Sequence, residues 1–496
     1  MGKTAKYQKL LERAAISAQN GRFPQAISSY LVLAKQFPEN PEISLQLAHA
    51  LGLSGQRKAA KKIHLALWKT LDGAPDLLVR IARDLEEWQD YHGALELWSE
   101  LSTYPSKYQS DARFHQVRLL ERTNQEIEAI RRWSSVNWND NNTWGRHWLA
   151  GRLSQRSGDL GKAREEFEKA LALAHGESIA KCTSALARLA DQMGDYEDAY
   201  KWVMETVSAR SDEAEHMKLA FPMSQEAVEL PAITEVNSMR ASGERPVIFL
   251  TGMPRSGTTL LAHKLADRFS VDLSEEFDYI KQLVDNSAFQ KSPMTPDKLV
   301  GKPSNKKYIA AYWRAQHESG LTDQLNGHTP LLDKNPSLAL LAPWLLALFP
   351  NLKILWVERD PRDLWISSVM LDAPVNGATC MWQNPEDYGK WCAQQAELRE
   401  RLNSLLPPEQ FIKVDYQSLV SQPDSVLTDI AQRFSLEPNE SRATASHLVT
   451  SPSYEEVVKP IAKNRVERWK NYRLLLSDVE RKAFDQLPEL YQYKPH

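Results

Sequence analysis

Hydrophobic positions follow two different rules along this chain. Through residues 7–208, small and apolar residues return at close to the ~34-residue spacing of a helix–turn–helix repeat. Gly21, Gly55, Asp90, Asn124, Gly158 and Gly194 fall into step as turn residues. Ala26, Ala60, Ala94, Ala129, Ala163 and Ala199 keep nearly the same interval, and four positions after each stands Tyr30, His64, Trp98, Trp133, Phe167 or Val203. Positions i and i+4 share a helix face. The alanine lets the paired helix approach, and the larger residue fills the space between units, so stacking buries one continuous core. The pattern predicts an α-solenoid of about six repeats over residues 1–215, degenerate in its fourth unit around Ala129.

Beyond residue 215 that period is lost, and Pro and Gly punctuate residues 216–245 as a linker. From Pro246 onward, short apolar runs at 247–251, 353–357 and 411–414 alternate with helical segments. This alternation predicts an α/β domain with a parallel sheet over residues 246–496. The longest apolar run, residues 338–349, contains Pro343 and falls short of the ~20 residues that cross a bilayer. It reads as a buried helix, and no membrane span is expected.

The first of those apolar runs feeds Gly252-Met-Pro-Arg255-Ser256-Gly257-Thr258-Thr259, which opens into a helix-compatible pattern. Glycines let the backbone approach an anion, and successive N–H groups with a helix N-terminus supply fixed positive potential, so this is a phosphate cradle. Its glycine spacing is that of a nucleotide P-loop. The lysine and hydroxyl expected next are Thr258 and Thr259, however, and the cation, Arg255, lies inside the loop. An ordinary ATPase is disfavoured.

Composition narrows the picture further. A formal net charge of -3 gives no global attraction to nucleic acid or anionic membrane, so an anion site must be built locally. Three scattered cysteines, Cys182, Cys380 and Cys392, form neither a disulfide framework nor a metal-ligand set and fit a reducing compartment. The charged, amphipathic N-terminus lacks a signal-peptide pattern. A cytoplasmic protein is expected.

The loop Pro-Arg-Ser-Gly-Thr-Thr resembles the 5′-phosphosulfate loop of sulfotransferases that use 3′-phosphoadenosine 5′-phosphosulfate (PAPS). A strand followed by Glu358-Arg359-Asp-Pro-Arg-Asp-Leu-Trp-Ile-Ser367 is similar to the family's 3′-phosphate segment, which implies that Arg359 and Ser367 hold that phosphate. Segments such as 20–30 and 194–200 resemble tetratricopeptide repeats. The whole pattern is similar to the tyrosylprotein sulfotransferases and to bacterial proteins joining such repeats to a sulfotransferase domain. In that family the base is a glutamate twenty-one residues after the loop arginine, a place held here by Glu276. A glutamate can accept a phenolic proton during attack on sulfur. The same pair, Glu275-Glu276, also reads as a solvated acidic start of a helix. Histidine is the base in cytosolic sulfotransferases, so His263, His317 and His328 remain open.

The resemblance also makes Lys334, in Leu332-Asp-Lys-Asn-Pro, the donor to the leaving oxygen. Ser453 matches a serine at the transfer site, and Arg468 stands where the family has a nucleotide-binding lysine. The loop residues Arg255, Ser256, Gly257, Thr258 and Thr259 would hold the phosphosulfate. Because a sulfuryl group carries less charge than a phosphoryl group, no metal is expected. The implied partner is a hydroxyl acceptor, either a peptide tyrosine lying in the repeat groove or a small molecule or glycan. Alternatively the repeats pack on the second domain or make a homodimer. A P-loop kinase or NTPase and a non-enzymatic repeat scaffold are the competing classes.

Overall fold

A computed structural model describes residues 3–20, 22–70, 74–105, 107–138, 143–220, 245–276, 309–310, 312–313, 316, 329–349, 351–376, 378–439, 454–457 and 465–494. Its first twelve helices fall into pairs at the predicted period: α1 Lys3–Gln19 and α2 Phe23–Gln36, α3 Pro41–Leu53 and α4 Arg57–Thr70, α5 Pro75–Glu87 and α6 Tyr91–Leu101. They continue as α7 Gln109–Arg122 and α8 Glu126–Ser134, α9 Trp144–Arg156 and α10 Leu160–Leu173, α11 Glu177–Met193 and α12 Tyr196–Ser208, with a single α13 Ser211–Ala220 following. The chemistry of the turns explains the pairing. Gly194 takes a left-handed conformation that ends α11, and Asp195 then accepts from the Asp198 N–H to cap α12. Asp90 and Asp159 cap α6 and α10 in the same way.

All six repeat alanines are buried, as are Tyr30, His64, Trp98, Phe167 and Val203. The fourth unit departs from the rule. There α8 has only 9 residues and Trp133 is half-buried, stacked on Trp138 at 4.5 Å. One compact unit ends at this place: it comprises residues 1–123 with 277–326, and the other comprises 124–276 with 327–496. The division therefore does not follow the change in sequence pattern at residues 216–245. Its physical reason lies in α11–α13, whose Ala187, Ala190, Ala199, Val203 and Ala214 share one apolar core with Leu364, Trp365, Trp391 and Phe484.

Within the second unit five parallel strands lie in the order β2-β3-β1-β4-β5: β1 Val247–Gly252, β2 Asp272–Glu275, β3 Leu331–Lys334, β4 Lys353–Glu358 and β5 Phe411–Asp415. All residues of β1 and β3 are buried, as expected of strands covered on both faces. Helices Thr258–Arg268 and Pro423–Phe434 cover one side through Leu261, Leu265, Ile430 and Phe434. Residues 338–349, expected as one helix, divide into a 3-10 segment Pro336–Leu341 and a helix Ala342–Leu348. Proline is tolerated in a first helical turn, where its missing N–H has no partner to lose, so a helix restarting at Ala342 accommodates Pro343. No helix among the described residues is long and apolar enough to cross a membrane.

Candidate active site

From β1 the chain moves first to β2 and β3 on one side and then to β4 and β5 on the other. The carboxyl ends beside such a reversal form a ligand-binding crevice. The phosphate loop leaves β1 there. Arg255 is left-handed (φ 70°), Gly257 has φ 106°, and the Ser256 N–H donates to the Met253 carbonyl at 3.1 Å. A Cβ on Gly257 would come within 2.6 Å of the Tyr416 ring, so only glycine suits both the dihedral and the space. Helix Thr258–Arg268 then starts with its N-terminus at the loop. Ser256 is fully buried, and its hydroxyl has no hydrogen-bond partner among the described residues.

Strand register brings the next group together. Glu275 on β2 pairs with Lys334 on β3, which in turn pairs with Leu250 on β1. Glu276 turns left-handed at the strand end (φ 46°), and its N–H donates to the Lys334 carbonyl at 2.8 Å. The fully buried Lys334 ammonium donates to Glu276 at 2.7 Å and to the Thr259 hydroxyl at 3.3 Å, with Glu275 at 3.6 Å. His263, on the loop helix, shares a 2.8 Å hydrogen bond with Glu275. A buried ammonium is tolerable only with such partners. The sequence pointed to Lys334, Glu276 and Thr259 separately. What it did not indicate was the second carboxylate, Glu275, which joins the lysine to His263.

At the end of β4, Arg359 faces the loop from the other side. Its guanidinium donates to the Arg255 carbonyl at 3.2 Å and the Arg465 carbonyl at 2.6 Å, and lies over the Tyr416 ring at 4.5 Å. Its Nε has no hydrogen-bond partner among the described residues. Ser367, on helix Pro361–Val369, accepts from Arg255 Nε at 3.0 Å. The two predicted phosphate segments are thus hydrogen-bonded to each other. Asp363 on that helix accepts the Glu467 and Trp469 N–H groups at 2.9 and 2.8 Å and lies 3.5 Å from Arg359. Burial pushes the Asp363 carboxyl above its ordinary value, with the Arg359 charge opposing.

From the sequence, Asp415-Tyr416 after the strand looks like the family's Tyr-Glu pair with the acidic residue on the other side, and no catalytic role is expected of it; Asp363 escaped the sequence reading. Arg468 lies beside this group in sequence but is committed elsewhere: its guanidinium donates to Asp191 of α11 at 2.7 Å. Ser453, His317 and His328 lie outside the described residues. One His/Asp/Glu group with metal-ligand proximity occurs among them, His49, Asp84 and Glu87, and it belongs to the helical unit. There Asp84 already pairs with His49 at 2.9 Å and His64 at 3.2 Å.

Among known proteins, an uncharacterized protein of Aquifex aeolicus is 25% identical over 290 residues, which cover 55% of this chain and 38% of that one. A protein-tyrosine sulfotransferase of Drosophila melanogaster is 23% identical over 259 residues, 50% of this chain and 51% of its own length. The chain therefore spans about half or less of the length of these two relatives. Among solved structures, the sulfotransferase domain of an olefin synthase from Synechococcus PCC 7002 covers 52% of this chain and 99% of its own, at 19% identity and a TM-score of 0.36. Within the α/β half, residues 246–440 match the model of the sulfotransferase family.

Proposed function

We propose that this domain transfers the sulfuryl group of PAPS to a hydroxyl, and that the acceptor is a tyrosine of a peptide. One observation carries the reading: the buried Lys334 ammonium, bonded to Glu276 and to Thr259 of the phosphate loop, puts a cation and a carboxylate at one point beside the cradle. Two donors without partners among the described residues, Ser256 Oγ in the loop and Arg359 Nε at the end of β4, fit an anionic nucleotide. Backbone N–H groups at the start of helix Thr258–Arg268 would add to them.

In this reading Arg255, Ser256, Gly257, Thr258 and Thr259 hold the 5′-phosphosulfate, while Arg359 and Ser367 hold the 3′-phosphate. The acceptor oxygen attacks sulfur as Glu276 takes its proton. The bond from sulfur to the bridging oxygen breaks, and Lys334 meets the charge that develops on the departing phosphate. His263 braces Glu275, and Glu275 braces Lys334. The tyrosine acceptor is supported by the Drosophila relative, a protein-tyrosine sulfotransferase. Stacked helical repeats are also a common platform for peptides.

Thermal denaturation with 3′-phosphoadenosine 5′-phosphate tests the donor. A saturating ligand stabilises by ~2.7 kcal/mol at a hundred times its Kd. A rise in Tm with this nucleotide and none with ADP and magnesium supports the reading. A rise with ADP alone transfers the domain to the kinase class. Transfer of labelled sulfate to a tyrosine peptide, absent when the tyrosine is replaced by phenylalanine, then tests the acceptor.

A further inference from the structure

Residues 465–469 meet Arg359 and Asp363 on one side and the helical part of the same unit on the other. Asp191 of α11 accepts from Arg468 at 2.7 Å and also from the Tyr472 hydroxyl. Both donors are buried, and α11 belongs to the last helix pair, outside the α/β half. The intervening backbone is not in a conformation it would choose alone. Glu467 is left-handed (φ 57°), a sparsely populated state for a residue with a side chain, and it persists only where its surroundings hold it. Those surroundings are the Asp363 carboxylate on the two N–H groups, Arg362 stacked on the Trp469 ring at 3.5 Å, and Asp191 on Arg468.

We propose that Asp191 is a positioning residue for nucleotide recognition: by gripping Arg468 it seats residues 465–469, whose Arg465 carbonyl fixes the Arg359 guanidinium that faces the phosphate loop. The inference rests on the donor assignment above. Selectivity for a 3′-phosphate then depends on the helical half of the chain, through a side chain that need not touch the ligand. Direct contact between Arg468 and phosphate would predict the opposite response. If Asp191 merely competed with the nucleotide for Arg468, neutralising it would tighten binding.

The test is calorimetric binding of 3′-phosphoadenosine 5′-phosphate and of ADP to full-length wild type and Asp191→Asn, a change of charge with little change of shape. Asp191→Asn is expected to weaken the 3′-phosphorylated nucleotide by ~10-fold, a typical size for coupling between separate sites, and to leave ADP unchanged. Its transfer rate at saturating PAPS stays near wild type. Hydrogen exchange at the Glu467 and Trp469 amides is expected to quicken in parallel. Arg468→Lys, which keeps the charge but loses the planar fork, repeats the experiment should Asp191→Asn fold poorly, with the same loss of 3′-phosphate preference expected. Equal or tighter binding by a folded variant overturns the proposal while leaving the donor assignment intact. Wild type that binds neither nucleotide overturns both.

Discussion

The two sides of the phosphate loop are built on opposite principles. On the β3 side, Lys334, Glu276, Glu275, Thr259 and His263 satisfy one another, cation against carboxylates, so the group is stable without a ligand. On the β4 side, Arg255, Arg359 and Ser367 place cations together and leave the Ser256 hydroxyl and Arg359 Nε without partners among the described residues. An uncompensated buried donor is costly. The contrast teaches that one side is arranged to be completed by an anion, while the other is already assembled and needs only to exchange a proton and share a charge.

Breaking the assembled side has the largest expected effect. Glu276→Gln should lower transfer by ~10²–10⁴ while nucleotide binding, read by calorimetry, stays intact. Lys334→Met should lower it by at least ~10². It should also lower Tm, because the buried Glu275 and the partly buried Glu276 lose their ammonium. Near wild-type turnover in either variant would mean that the chemistry is centred elsewhere.

On the open side, Arg359→Ala should weaken 3′-phosphoadenosine 5′-phosphate by ~10–100-fold, the equivalent of one charge-assisted hydrogen bond at ~1.5–3 kcal/mol. The maximal rate at saturating PAPS should change far less. If kcat falls and affinity holds, the two sides do not divide binding from chemistry as their geometry suggests.

A smaller effect sharpens the role of the helical support. Glu455, in helix Tyr454–Val457, pairs with Arg152 of α9, and Arg152 also donates to Tyr454 at 3.0 Å. Burial raises the Glu455 carboxyl, but Arg152, Arg188 and Arg156 outweigh that and hold it at about 2 against an ordinary 4.5. A depressed folded value means stabilisation that is complete above about pH 4.5 and lost as pH falls through about 2. In full this amounts to ~3 kcal/mol. Glu455→Gln should flatten the acid limb of a stability–pH curve over that window, and an unchanged limb would remove the pair from the account.

The sequence announced what depends on backbone and period. Gly257 must be glycine, alanines buried every repeat must be small, and a buried strand reads as an apolar run. It also placed Arg255, Arg359, Ser367, Glu276 and Lys334 on segments that the structure gathers at the carboxyl ends of β1, β2, β3 and β4. What it withheld is contact between segments far apart in the chain. Nothing in the spacing of Asp191 marks it as the acceptor for Arg468, 277 residues later. Similarly, Tyr416 becomes interpretable only once Gly257 lies against its ring and Arg359 above it. The division of compact units at residue 124 was hidden for the same reason, since helix periodicity records how each repeat pairs but not what its outer face packs against.

The cysteines provide a native reporter of opening. Cys182, Cys380 and Cys392 are all reduced thiols, all buried and all in the unit that holds the loop. Burial pushes each thiol up, that of Cys182 to about 12, so almost no thiolate forms at neutral pH in the folded state. Since the thiolate is the species that alkylating reagents trap, the rate of labelling becomes a clock for transient exposure of this unit alone, silent to events in residues 1–123. A nucleotide that tightens the site should slow that clock without any engineered probe.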